Sequence, residues 1–98
     1  MSYLFSERNF NGDISRWNVS NVTDMRGMFN ISDFNGDISG WDVSNVCTMY
    51  YMFAGSKFNM DISRWNVSNV TDMYGMFDDC PIKKEYKPKS INQNLKNI

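Results

Sequence analysis

A 24-residue interval governs this chain: Phe10, Phe34 and Phe58 stand one interval apart, as do Trp17, Trp41 and Trp65, Met25, Met49 and Met73, and Phe29, Phe53 and Phe77. Thirteen of the 24 positions are identical in three successive copies, giving the skeleton FN-x-DIS-x-W-x-VSNV-xx-M-xx-MF. The copies occupy residues 10–33, 34–57 and 58–81. Residues 1–9 form a partial N-terminal repeat, because Met1, Leu4 and Phe5 fall where Met25, Met28 and Phe29 fall one interval later. Residues 82–98 leave the pattern and make a basic C-terminal tail, in which Ser90 is placed to cap a short helix with Ile91, Leu95 and Ile98 on one side.

A unit this short cannot bury its own apolar face, so the units are expected to stack, each burying its neighbour. Within a unit, Val22, Met25, Met28 and Phe29 follow the spacing of one helical face. Asn21 precedes them as a cap, as do Asn45 and Asn69 in the later copies. Trp17 and Val19 alternate with Asn18 as in a strand, with a bend near Ser15 and Arg16 where the Ile14–Trp17 spacing breaks the alternation. The resulting expectation is an α/β solenoid, a stack of strand–short helix units with one parallel sheet. Its core is formed by the columns Trp17, Trp41 and Trp65, Met25, Met49 and Met73, and Phe29, Phe53 and Phe77. Asn11, Asn35 and Asn59 are expected to bridge successive turns through their amides, with Asn21, Asn45 and Asn69. A stack also exposes its core at both ends unless something caps it, so self-association through uncapped ends is expected beside other protein partners.

Charge is unevenly spread. Residues 1–80 hold five Lys or Arg against ten Asp or Glu, whereas residues 81–98 hold five Lys and one Glu. An acidic body is the wrong electrostatic footprint for nucleic acid. No stretch approaches the ~20 apolar residues of a membrane-spanning helix. The first residues lack the basic start and apolar run of a secretory signal. Cys47 replaces Thr23 and Thr71 of the other copies and Cys80 lies at a different repeat position, a pattern that does not read as a disulfide framework.

Catalytic chemistry is not expected. The chain has no histidine, and its glutamates, Glu7 and Glu85, lie outside the full repeats. Repetition yields rows of Asp rather than one constellation of acid, base and nucleophile. The row Asp13, Asp37 and Asp61 is read as turn residues accepting backbone amides, so no metal and no cofactor is expected. Asn-x-Ser/Thr triplets such as Asn18-Val19-Ser20 belong to the repeat skeleton and are read as structural. The varying positions are the candidates for partner binding: Arg16, Asn18, Asp42, Arg64 and Asn66 in the first half of the unit, and Arg26, Tyr50, Tyr51 and Tyr74 in the second. Tyr and Arg are enriched among binding hot spots.

The string DIS-x-W-[ND]-VSNVT-D-M-xx-MF, with FNGD leading the next unit, resembles the BspA-type bacterial surface-protein repeats, relatives of the leucine-rich repeats. The resemblance spans nearly all of residues 1–80. It implies a leucine-rich-repeat-like stack, a cell-surface location, and a non-enzymatic role in adhesion or protein binding. The alternative is a structural building block of a large assembly such as a virus particle, in a minor capsid or cement role.

Overall fold

A computed structural model describes residues 1–88 of the chain. Each 24-residue unit folds as a run of tight turns, because the sequence puts a side-chain acceptor two residues ahead of a backbone N–H at most corners. In the first unit, Asp13 Oδ1 accepts from the Ser15 N–H, Asn18 Oδ1 from Ser20 and Asp24 Oδ1 from Arg26, at 2.9, 3.0 and 3.1 Å. Ser32 Oγ accepts from the Phe34 N–H at 3.1 Å as the next unit begins. These side chains supply local partners that compete with helix and sheet bonding.

The turns close on the third residue. Trp17 donates its N–H to the Ile14 carbonyl, Val22 to Val19, Met28 to Met25 and Ser32 to Phe29, at 3.1, 2.9, 3.3 and 3.1 Å. Gly27, Tyr51 and Gly75 stand at φ 59, 55 and 62°, and Ile31, Gly55 and Asp79 at 55, 68 and 52°. Each is the third residue of such a turn, which is where a type II turn requires positive φ.

Successive units are tied by a second set of backbone bonds. Met25, Gly27, Phe29 and Ile31 donate to the carbonyls of Thr48, Tyr50, Met52 and Ala54, at 3.0, 2.9, 2.8 and 2.8 Å. Met49, Tyr51, Phe53 and Gly55 repeat this toward Asp72, Tyr74, Met76 and Asp78, at 2.7–2.9 Å. Tyr3, Phe5 and Glu7 begin it by donating to Arg26, Met28 and Asn30. Asparagine amides add to these ties: Asn45 and Asn69 donate to the Ser20 and Ser44 carbonyls, both at 2.7 Å. Asn35 and Asn59 accept the N–H of Asn59 and Lys83 at 2.7 and 2.9 Å.

The core lies inside this stack. Phe5, Phe29, Phe53 and Phe77 stack face to face at 5.7, 5.5 and 5.7 Å. Phe10, Phe34 and Phe58 form a second file at 6.0 and 6.2 Å. The files interlock where Phe29 meets Phe34 at 4.5 Å and Phe53 meets Phe58 at 4.3 Å. Met25, Met28, Met49, Met52, Met73 and Met76 are buried around them. Unbranched Met fills the irregular gaps that a turn-built backbone leaves.

The expected α/β solenoid with leucine-rich-repeat-like units does not form. Among the described residues there is no strand and no sheet: the only strand-like pairings are the isolated parallel bridges Asp24–Thr48 and Thr48–Asp72. The only helix among the described residues is one 3₁₀ turn, Lys84–Tyr86. Two physical reasons account for this. Spacing of three between Val22, Met25 and Met28 fits a chain of third-residue turns as well as a helix face, and positive φ at Gly27 and Ile31, and at their counterparts one and two intervals on, is compatible with neither helix nor strand. Asn21, Asn45 and Asn69 therefore cap no helix.

The two ends of the stack differ. At the back, residues 82–88 continue the interval: Ile82 is buried in the place of Phe58, and the Tyr86 carbonyl accepts the Ile62 N–H at 3.0 Å. The Lys87 ammonium lies 5.2 Å from the centre of the Phe77 ring. At the front, Met1, Tyr3, Leu4 and Trp17 are exposed. The helix expected from Ser90 onward lies outside the described residues.

Candidate functional site

The varying positions divide into two groups. In the first half of the unit, Asn18, Asp42 and Asn66 each accept the N–H of the serine two residues on, at 3.0, 3.0 and 3.1 Å. Asn and Asp interchange here because the turn needs an oxygen and not a charge. Arg16 and Arg64 are exposed. Arg64 lines an open depression of about 460 Å³ with Asp37, Ser39, Met60 and Asp61. Asp37 and Asp61 are also turn residues, accepting the Ser39 and Ser63 N–H at 2.9 Å. Among the described residues no three His, Cys, Asp or Glu side chains are grouped so as to hold a metal ion.

Hydrogen bonds from Ser39 and Ser44 hold the Asp37 and Asp42 carboxyls below their ordinary value. A depressed folded-state pKa stabilises the fold above the unfolded value of about 3.9, and that contribution is lost as pH falls through the folded value. Melting temperatures measured from pH 7 down to 2.5 are therefore expected to drop below about pH 4. Asp42→Asn, which copies Asn18 and Asn66, should melt with wild type at pH 7 and show a shallower acid drop.

The second half of the unit gathers its varying residues on one side of the stack. The Arg26 guanidinium lies 5.9 Å from the centre of the Tyr50 ring, donates to the Tyr50 hydroxyl at 3.4 Å and pairs with Asp24 at 3.2 Å. Tyr50 meets Tyr51 edge to face at 5.5 Å, and Tyr51 meets Tyr74 likewise at 5.6 Å. Tyr74 is 55% exposed and Tyr3 is 45% exposed. The structure thus brings Arg26, Tyr50, Tyr51 and Tyr74 together, and separates them from Arg16, Asn18, Asp42, Arg64 and Asn66, with which they share no hydrogen bond, ion pair or ring contact.

Tyr3 joins this row through its interaction with the Tyr50 hydroxyl, although its sequence position did not single it out. Desolvation, then that hydrogen bond, pushes its hydroxyl pKa up. Its place was legible in the repeat frame: Tyr3, Gly27, Tyr51 and Gly75 stand 24 apart. The order is large–small–large–small because the ring in one unit covers the glycine in the next. A Cβ on Gly75 would lie 2.5 Å from the Tyr51 ring and 3.1 Å from Asp78 Oδ2, and one on Gly27 would meet the Tyr3 ring. Asp78 thus sits beside the tyrosine row. Desolvation, then the neighbouring Tyr74 and Asp78, raises the Tyr51 hydroxyl pKa.

The columns expected to be core are buried, with one exception. Trp41 and Trp65 are 4% and 2% exposed, and their indole N–H groups donate to the Ile14 and Ile38 carbonyls at 3.0 and 3.1 Å. Trp17, at the front, is 41% exposed. Cys47 and Cys80 are free thiols, the first exposed. Among the described residues no helix is long and apolar enough to cross a membrane.

No curated protein and no solved structure matches the chain. The family described as "Mycoplasma protein of unknown function, DUF285" matches over residues 1–97, nearly the whole sequence. The match names that family and not the narrower BspA-type repeats. A 24-residue unit repeated across almost the full length, and a family pattern that spans the same residues, lead to one assignment: the chain belongs to the DUF285 family.

Proposed function

We propose that the chain is a non-enzymatic protein-interaction module that binds through the side carrying Arg26, Tyr50, Tyr51 and Tyr74. One observation carries the reading: five aromatic or guanidinium side chains from four successive levels, Tyr3 included, line up half-exposed on a backbone fixed by inter-unit hydrogen bonds. Tyr and Arg give large contact area at low entropic cost when held in place beforehand. The narrower BspA-type kinship, resting on the repeat motif, belongs to this reading and makes adhesion the corresponding role. No catalytic step enters it, since the chain has no histidine and every unit repeats the same few side chains.

The test is selection of displayed peptides on the wild-type chain, followed by measurement on a Tyr50→Ala/Tyr74→Ala variant. Hot-spot residues contribute about 2 kcal/mol or more each. Selected peptides are therefore expected to lose at least about 30-fold in affinity on the variant. Unchanged affinity on a variant that still melts cooperatively overturns the proposed surface.

A further inference from the structure

The tyrosine row contains its own example of recognition. Arg26 is held by three things at once: the face of Tyr50, the Tyr50 hydroxyl and the Asp24 carboxylate. A guanidinium against an aromatic face, with a carboxylate at its edge, combines cation–π attraction with an ion pair. The same ingredients recur further along the row without the cation. Tyr51 and Tyr74 meet edge to face, with ring planes 85° apart, and Tyr74 is 55% exposed. Asp72 lies at the base of Tyr74, where its Oδ1 accepts the Tyr74 N–H at 3.1 Å. Asp78 lies by Tyr51, close enough for its charge to act on the Tyr51 hydroxyl.

Charge in this half of the row is unbalanced. Arg26 is paired with Asp24, in the near half of the row. Asp72, Asp78 and Asp79 are exposed. Two lysines of residues 82–88 lie against rings: Lys83 is 5.3 Å from the Tyr86 ring centre and Lys87 5.2 Å from that of Phe77.

We propose that the exposed ring of Tyr74, in its edge-to-face pair with Tyr51, takes an arginine or lysine side chain from an extended basic segment of a partner protein, with Asp72 and Asp78 as its countercharges. This rests on the interaction surface proposed above and specifies what binds there. An extended segment can follow the row along the stack, with the side chains on one of its sides facing the tyrosines. Arg26 already fills the corresponding place at Tyr50, so the partner's cation enters at the far half of the row.

The experiment titrates the full 98-residue chain with a synthetic nine-residue Gly/Ser peptide carrying three arginines, and with matched glutamine and glutamate peptides, followed by amide NMR shifts. The arginine peptide is expected to move Tyr51, Tyr74, Gly75 and Asp78, to bind about tenfold more weakly in Tyr74→Ala and in Asp72→Asn/Asp78→Asn, and to weaken as salt is raised. Asp72→Asn keeps the oxygen that its turn requires, so the fold is retained. Shifts centred on Asp13, Asp37 and Asp61, or full affinity in the Asp72→Asn/Asp78→Asn variant, overturn the proposal. Equal binding of the glutamine peptide at the same residues overturns the cationic chemistry while leaving the interaction surface standing. Failure of the displayed-peptide selection together with silence in this titration removes both.

Discussion

Replacing Trp41 with alanine is expected to destabilise the fold by about 3–5 kcal/mol, while the same change at Trp17 costs less than about 1 kcal/mol. Both residues occupy the same place in the repeat and the sequence treats them alike. The environments differ. Trp41 is 4% exposed, packs 6.4 Å from Phe29 and donates its indole N–H to the Ile14 carbonyl of the preceding unit. Its removal leaves a cavity beside Phe29 and takes away one of the two N–H groups that the Ile14 carbonyl accepts, the other being that of Trp17. Trp17 is 41% exposed and packs 5.7 Å from Phe5, itself only half-buried. Urea titrations of the two variants measure the contrast. Equal losses would mean that the tryptophans are held by their own units and not by their neighbours. Small domains have about 5–15 kcal/mol in all, so Trp41→Ala brings this one close to unfolding at room temperature.

The second expected result concerns a residue that makes no side-chain contact. Gly75→Ala should cost about 2–4 kcal/mol, from two sources. Gly75 sits at φ 62°, where a Cβ costs about 1–2 kcal/mol. The new methyl group would also fall 2.5 Å from the Tyr51 ring, which must be displaced. In a Tyr51→Ala background the ring clash is gone and the backbone cost remains, with the tight approach to Asp78 Oδ2, so the double-mutant cycle should show a coupling of about 1–2 kcal/mol between positions in successive units. Gly40→Ala is the control. Nothing lies within 4 Å of its Cβ position, and Arg16 and Arg64 occupy the same place in the flanking units. That change should be neutral or stabilise by up to about 1 kcal/mol, by restricting the unfolded chain. Additivity of Gly75→Ala and Tyr51→Ala would show that the alternation of tyrosine and glycine has no packing consequence.

The same alternation shows where the repeat frame was informative and where it misled. Positions 27, 51 and 75 vary, which suggested that packing leaves them free for a partner. Tyr51 is only half-exposed because its ring covers Gly75. Variation here records two residues fitted to each other across a level. Tyr74 fits the original expectation better, being more than half exposed. Asn18, Asp42 and Asn66 vary because amide and carboxylate accept the same turn N–H, so their variation reports hydrogen-bond chemistry.

Secondary structure was the part least accessible to pattern. A spacing of three and four between apolar residues is shared by an α-helix and by consecutive third-residue turns, and only the backbone angles separate them. Glycine at positions 27 and 75 was a signal for positive φ, but Tyr51 and Ile31 adopt it too, at 55° each, and neither residue type announces that conformation. The covering of the back end was likewise hidden. Ile82, Lys83 and Tyr86 stand where Phe58, Asn59 and Ile62 stand one interval earlier, yet share no residue with them.

The sequence by itself determined the 24-residue period and the rows of like residues, because identical side chains at a fixed interval bury their apolar surface only by meeting their own copies. Tertiary structure decided what those rows are built on: turns instead of strands and helices, since side-chain oxygens satisfy many corner N–H groups locally and positive φ at two residues in the second half of each unit interrupts either regular form. It also decided which tryptophan is buried and which tyrosines share a face. Those outcomes depend on the level above or below, and no single copy of the repeat contains it.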